Sequence, residues 1–117
     1  MSDSDRDDLI DAYFDAMDEA DLERVRPVLA DDFVYESLAG DLEGAAGLET
    51  YLEEVRGLSN TSHQVTLRAH GEDASVAEGV VTGDGDDGRV EAGFCDVFEF
   101  DDADERIVRI GVYLNDS

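Results

Sequence analysis

One position in this chain most clearly invites acid–base chemistry. Asp96 stands in the stretch Phe94-Cys95-Asp96-Val97-Phe98-Glu99-Phe100, whose composition reads as a strand, so Asp96 shares a face with Phe94, Phe98 and Phe100. An acid on an aromatic row loses the water that stabilises its charged form; its pKa rises, and it becomes a proton donor or base near neutrality. The competing reading is an acid buried for structure, hydrogen-bonded to Tyr13 or to an arginine. Glu78 shares parity with Val76, Val80 and Thr82 in an otherwise apolar stretch. Turned inward opposite Asp96 it would make a carboxyl pair with separated pKa values; turned outward it is one more surface acid. His63 shares parity with Val65, Leu67 and Ala69, which places it as a general base at a cavity mouth or as a structural histidine at a strand start. His70 has the other parity beside a turn and is expected in solvent. Tyr35 and Tyr113 offer hydroxyls to a pocket, or pack in the core.

Other chemistries find little support. Two histidines without His/Cys/Asp spacing make no zinc site, and Asp84-Gly85-Asp86-Asp87-Gly88 is a turn sequence without the flanking helices and closing glutamate of a calcium hand. No metal and no cofactor is expected. Cys95 has no basic neighbour and the parity opposite to Asp96, which argues against a nucleophile; as the single cysteine it forms no internal disulfide and fits a reducing interior.

Charge sets further bounds. The 117 residues carry 32 acids against 8 bases, all of them arginine, for a net charge of −24. Phosphate recognition needs basic patches and anionic membrane surfaces attract basic ones, so neither nucleic acid nor membrane is an expected partner. The acids alternate with strong apolar periodicity, which places them on the outer faces of folded elements and not in a disordered chain. Concentrated salt relieves their mutual repulsion, and the pattern is that of a protein adapted to a salt-rich cytoplasm. The N-terminus lacks a basic-then-apolar leader, no apolar run is long enough to span a bilayer, and a cytoplasmic location is expected.

The elements that must position these residues follow from spacing. The length suits a single domain over 1–117, with about 1–4 disordered. Leu9, Ile10, Tyr13, Phe14 and Met17 make an apolar stripe on a helix over about 5–20. Asp21 can cap a short second helix carrying Leu22, Val25, Val28 and Leu29, with Pro27 near its first turn. A strand over about 33–38 leads through a glycine-rich loop to a third helix over roughly 45–57, with Leu48, Tyr51, Leu52 and Val55 inward. Long strands follow at 62–70, 74–83, 89–101 and 105–115, joined by acidic or glycine turns and therefore antiparallel. The expected class is α+β, with three helices in the N-terminal half packed on the concave face of a curved antiparallel sheet. Helices cannot fill such a hollow evenly, so a conical cavity should remain. Met17, Phe33, Tyr35, His63, Glu78, Phe94, Phe98 and Tyr113 are the expected lining. Apolar residues of both parities in the last strand point to a covered outer face, most simply by a second copy of the chain.

That order of elements, with AYFDAMDEADLERV, LADDFVYE and FCDVFEFDDADERIVRIGVYL, resembles the nuclear transport factor 2-like superfamily, and its SnoaL-like and ketosteroid isomerase-like branches most closely, over about residues 7–115. The resemblance implies a cone of sheet with three helices. It places Tyr13 where ketosteroid isomerase-like members keep a tyrosine that donates to a developing oxyanion, and Asp96 where they keep a protonated aspartic acid. It also places Ser37 where those members carry the catalytic aspartate that acts as base, and a serine alone cannot take a carbon-bound proton. Steroid isomerisation is thereby disfavoured; SnoaL-like cyclases, with an acid on a late strand, remain a match for Asp96. Two functions follow: proton transfer on a hydrophobic, carbonyl-bearing small molecule by Asp96 with Tyr13, or a non-catalytic, dimeric ligand-binding or accessory module.

Overall fold

The computed structural model describes residues 3–37, 40–52, 59–101 and 106–115. Helix α1 (Asp3–Glu19) opens the chain; two 3-10 turns (Leu22–Arg24 and Arg26–Val28) lead into β1 (Leu29–Ser37), β2 (Gly40–Glu43) and helix α2 (Gly44–Thr50). Four long strands follow: β3 (Ser59–His70), β4 (Ala74–Gly85), β5 (Gly88–Phe100) and β6 (Ile107–Asn115). All six form one sheet in the order β2-β1-β6-β5-β4-β3.

Three expectations need correction. The sheet is mixed and not antiparallel throughout, because β1 runs parallel to β6. The antiparallel rule binds only strands joined by a short turn, as β3 to β4 and β4 to β5 are. The described residues contain two α-helices and not three. Asp21 does cap the second segment, accepting from the Glu23 N–H at 3.1 Å, but Leu22–Val28 is short and Pro27 removes a donor, so it closes as two 3-10 turns. Finally, the glycine-rich stretch read as a loop contains β2, hydrogen-bonded to β1 from Val34 to Ser37. Residues 53–57, assigned to the third helix, lie outside the described set, as do most of the residues 101–104 read as a turn.

The core forms where α1 lies on the sheet. Leu9, Ile10, Tyr13, Phe14 and Met17 are all buried, while Asp8, Asp11 and Asp15 face solvent. They meet Phe33 and Tyr35 of β1, Ala77 and Val81 of β4, Phe94 and Phe98 of β5, and Ile107 and Ile110 of β6. The inner row of β4 is built from small residues, and Gly79 is required there: a Cβ would stand 1.9 Å from the Gln64 carbonyl oxygen. That close approach coincides with a register shift between Val65 and Leu67, where Thr66 is an extra residue of β3.

The bulge reverses the parity of the rest of β3, which corrects the expectation for His70. Beyond it, Arg68 and His70 pair with Ala77 and Ser75 and turn toward α1. Arg68 donates to Asp7 at 3.1 Å and Asp11 at 2.6 Å. His70 Nε2 lies 3.2 Å from Asp7, and its Nδ1 lies 2.7 Å from the Ser75 hydroxyl. Arg6, itself buried, donates to the Gly71 carbonyl at 2.6 Å and the Glu72 carbonyl at 2.7 Å, with its guanidinium over the Phe100 ring. This polar clamp holds the first turns of α1 against the β3–β4 turn and leaves the hollow beneath the rest of the helix.

Candidate functional site

A cavity of about 80 Å³ lies between α1 and the sheet. Helix α1 contributes Tyr13 and Met17; the strands contribute Tyr35, Thr61, His63, Val81, Ala92, Phe94, Asp96 and Val112, and Tyr51 completes the wall beyond α2.

Asp96 is the unusual member. Regular pairing along β5 sets it level with Ala77 on one side and Val112 on the other, so it points inward with Phe94 and Phe98. Its side chain is 2 % exposed, and Oδ1 is buried with no hydrogen-bond partner among the described residues. Burial alone pushes its pKa up to about 8, so the group is mostly protonated at pH 7. It is then a carboxylic acid poised to give up a proton.

Tyr13 and Tyr35 form a buried hydroxyl pair, 2.8 Å apart, on the same cavity wall. Burial, followed by the neighbouring Tyr13 and Tyr51, holds the Tyr35 phenol well above its ordinary pKa, so it stays a donor. The edge of Tyr13 packs on Phe98 with centroids 5.6 Å apart, and Tyr51 packs on Tyr35 at 4.7 Å. The hydroxyls are thereby fixed by rings and not by solvent.

His63 belongs to a second cluster. Its Nδ1 lies 2.5 Å from Asp18 Oδ1, and its backbone N–H donates to Asp18 Oδ2 at 3.0 Å. Thr61 donates to the same Oδ1 at 3.0 Å. A carboxylate can only accept, so Nδ1 carries the proton and the tautomer is set. The ring packs between Phe14 and Phe94, at 5.1 and 5.3 Å, and lines the cavity.

Other expected positions are placed elsewhere. Phe33 and Phe98 are fully buried behind the cavity in the core. Glu78 and Tyr113 lie on the opposite face of the sheet, exposed and on either side of Cys95, in the rung Leu67, Glu78, Cys95, Tyr113. The apolar parity of Val76 and Val80 misled: that row is the outer one, and the inner row, Ser75, Ala77, Gly79 and Val81, is small because α1 sits above it. The Cys95 thiol is pushed up by burial, then by Glu78 and Asp96, which leaves it a poor nucleophile. Ser37 is spent in the β1–β2 hairpin, its hydroxyl donating to the Gly40 carbonyl at 3.2 Å. Asp84 is held by Asn60 at 2.9 Å and Arg89 at 3.0 Å, which gives the acidic hairpin a structural use. Asp18, Thr61, Tyr51, Val81, Ala92 and Val112 were not anticipated as site residues; parity along β4 and β5 could have marked Val81 and Ala92, whereas nothing in the sequence singles out Asp18.

Residues 10–110 match the SnoaL-like domain, and the chain belongs to that family. No curated protein matches the sequence significantly. Among solved structures, one provisionally designated a SnoaL-like polyketide cyclase, from Shewanella denitrificans, is 14% identical and covers 94% of this chain and 90% of its own, with a TM-score of 0.80. An LEH-like epoxide hydrolase from M. tuberculosis is 24% identical, covering 96% and 84%, with a TM-score of 0.77. An NTF2-like protein of unknown function from Burkholderia pseudomallei is 16% identical, covering 98% and 92%, with a TM-score of 0.84. At such identities the similarity shows the α+β NTF2-like fold and no shared activity.

Proposed function

We propose that the protein binds a small, neutral, carbonyl-bearing molecule in the cavity and transfers a proton to its oxygen from Asp96, with the Tyr13–Tyr35 hydroxyl pair supporting the charge that develops there. One observation carries this reading: a carboxyl almost wholly buried, without a hydrogen-bond partner for Oδ1, facing a cavity lined by aromatic and aliphatic groups. A ligand that enters the cavity can supply the partner that Oδ1 lacks. Among the described residues no arginine lines the cavity, whose polar groups are the Asp96 carboxyl, the tyrosine phenols, the Thr61 hydroxyl and the His63 imidazole, so an anionic ligand would meet no guanidinium there. The polyketide-cyclase designation of a structural neighbour supports the same class of substrate.

The test is binding and turnover of small cyclic ketones by wild type and Asp96→Asn across pH. Binding to the wild type should weaken as pH rises through about 8, where the acid ionises. The asparagine variant should bind without that pH dependence and lose turnover by 100-fold or so, the usual contribution of one general acid. Unchanged turnover in Asp96→Asn would remove Asp96 as the acid, and binding by the wild type without any turnover would leave a non-catalytic binding module, the reading that the position of Ser37 favours.

Two further features support proposals of their own. The acidic surface suits a salt-rich cytoplasm. The outer sheet face, where Leu67 and Tyr113 are 53% and 54% exposed beside Cys95, suits a second copy of the chain. Sedimentation equilibrium in 2 M KCl should give the mass of a dimer, and Tyr113→Asp should shift it to monomer; a wild-type monomer there would dispose of this interface.

A further inference from the structure

Proton transfer to a carbonyl oxygen makes an enol only if something else removes a proton from carbon, and the position expected to supply that base holds Ser37, which is occupied in a turn. We infer that His63 is the general base of this cavity and Asp18 its positioning residue; the inference rests on the role proposed for Asp96.

The geometry supports it in three ways. First, Asp18 is built to hold an imidazole: one carboxylate takes the His63 ring N–H, the His63 backbone N–H and the Thr61 hydroxyl, so side chain and strand are gripped together. The Thr61 hydroxyl also reaches the Met17 carbonyl at 3.4 Å, tying the cluster to the end of α1. Second, that grip fixes the proton on Nδ1, which makes Nε2 the basic nitrogen of the neutral ring. The negative charge of Asp18 then stabilises the imidazolium formed when Nε2 takes a proton, as a buried carboxylate does for a histidine base generally. Third, His63 and Asp96 line one cavity at different levels: His63 pairs with Val81 and Asp96 with Ala77, and the Phe94 ring stands between them against the imidazole. Two groups at different levels of one cavity can work on two atoms of one molecule.

The step balances without a co-reactant. His63 Nε2 takes a proton from the carbon next to the carbonyl, and the electrons of the broken C–H bond form the C=C bond. The carbonyl π electrons take the proton of neutral Asp96, giving a neutral enol, an imidazolium and a carboxylate. Return of the proton from His63 to the same or a vinylogous carbon, and of the enol proton to Asp96, restores the resting protein and leaves the ketone exchanged or isomerised. The substrate class is therefore an enolisable ketone of modest size with no negative charge.

Exchange of the α-hydrogens of cyclohexanone, and isomerisation of 3-cyclohexen-1-one, can be followed by proton NMR in deuterated buffer with the wild type and with His63→Ala, Asp18→Asn and Asp96→Asn. Wild type should accelerate exchange above buffer. His63→Ala should lose 100-fold or more and regain part of it on adding free imidazole, in line with the contribution of a single base. Asp18→Asn should lower the rate and move the limb of the pH profile that reports the base, which loss of packing alone would not do. Ring-nitrogen chemical shifts of labelled wild type should show the proton on Nδ1, and this readout stands apart from activity. Wild-type rates in His63→Ala with loss in Asp96→Asn would overturn the base and keep the acid; loss in His63→Ala with wild-type rates in Asp96→Asn would keep the base and overturn the acid. No wild-type exchange on either ketone would overturn both.

Discussion

Replacing Asp96 by asparagine is expected to stabilise the protein at pH 7 by on the order of 4 kcal/mol, even as it removes the proposed activity. The carboxyl's folded pKa is raised from its ordinary value of 3.8 to about 8 by burial. Between those two values the unfolded chain has released the proton and the folded chain still holds it. The folded state therefore binds more protons, and its stability falls as pH rises, by about 1.4 kcal/mol per unit, until the folded group ionises near pH 8. Below pH 4 both states are protonated and there is no cost. Asparagine has the shape of the protonated acid and no ionised form, so it escapes the loss. The gap between variant and wild type should be close to zero below pH 4, open steadily to about pH 8 and stay flat above. The other acids contribute equally to both proteins and cancel in the difference. At pH 7 the gap corresponds to a rise in Tm of roughly 10–15 °C for a domain of this size. Urea unfolding of both proteins at pH 4, 7 and 9 measures it; equal midpoints at pH 7 would mean that Asp96 is solvated or paired in solution, and the proposed acid would fall with it.

That expectation separates what could be read from the chain from what could not. Asp96 was legible because β5 keeps an unbroken register against β4 from Gly88 to Glu99, so counting by twos from Phe94 is valid along the whole strand. The stripe on α1 was legible for the same reason at helical period, and all five of its residues are buried. Counting failed where a strand carries a hidden extra residue. Thr66 in β3 flips Arg68 and His70 onto the inner face, and no local composition announces it. Counting also failed where hydrophobicity and facing part company: on β4 the bulkier Val76 and Val80 lie outward with Glu78, while Ala77 and Gly79 lie under α1. Asp18 was invisible because partnership with His63 is made by packing α1 on β3, and one aspartate among so many acids carries no local mark. The chemistry of the site thus depends on one residue read from pattern and another supplied by tertiary contact.

Raising salt from 10 mM to 2 M KCl is expected to increase Tm by roughly 10 °C or more, equivalent to about 3 kcal/mol for a chain of this length. The net charge of −24 is spread over 117 residues, and the described acids are overwhelmingly on the surface. On the solvent side of α1, Asp11, Asp15 and Glu19 follow at four-residue spacing, an arrangement in which like charges disfavour the helix. Arginines answer some of this: Arg68 spans Asp7 and Asp11, and Arg109 spans Glu36 and Glu99 at 2.7 Å each, which joins β1, β6 and β5 across the outer face. Salt weakens those contacts too. They are few, partly shielded from solvent and short, whereas the repulsions are many, exposed and long-ranged, and a Debye length of about 3 Å at 1 M removes the long-ranged ones first. The balance therefore favours folding as salt rises. The ionic part saturates near 1 M, and any further gain reflects strengthened apolar burial, which sulfate should enhance more than chloride at equal ionic strength. Melting followed by circular dichroism across KCl and sodium sulfate series separates the two, and a Tm that fell or stayed level on leaving low salt would show that the arginine bridges, and not the acidic surface, govern the electrostatics of this fold.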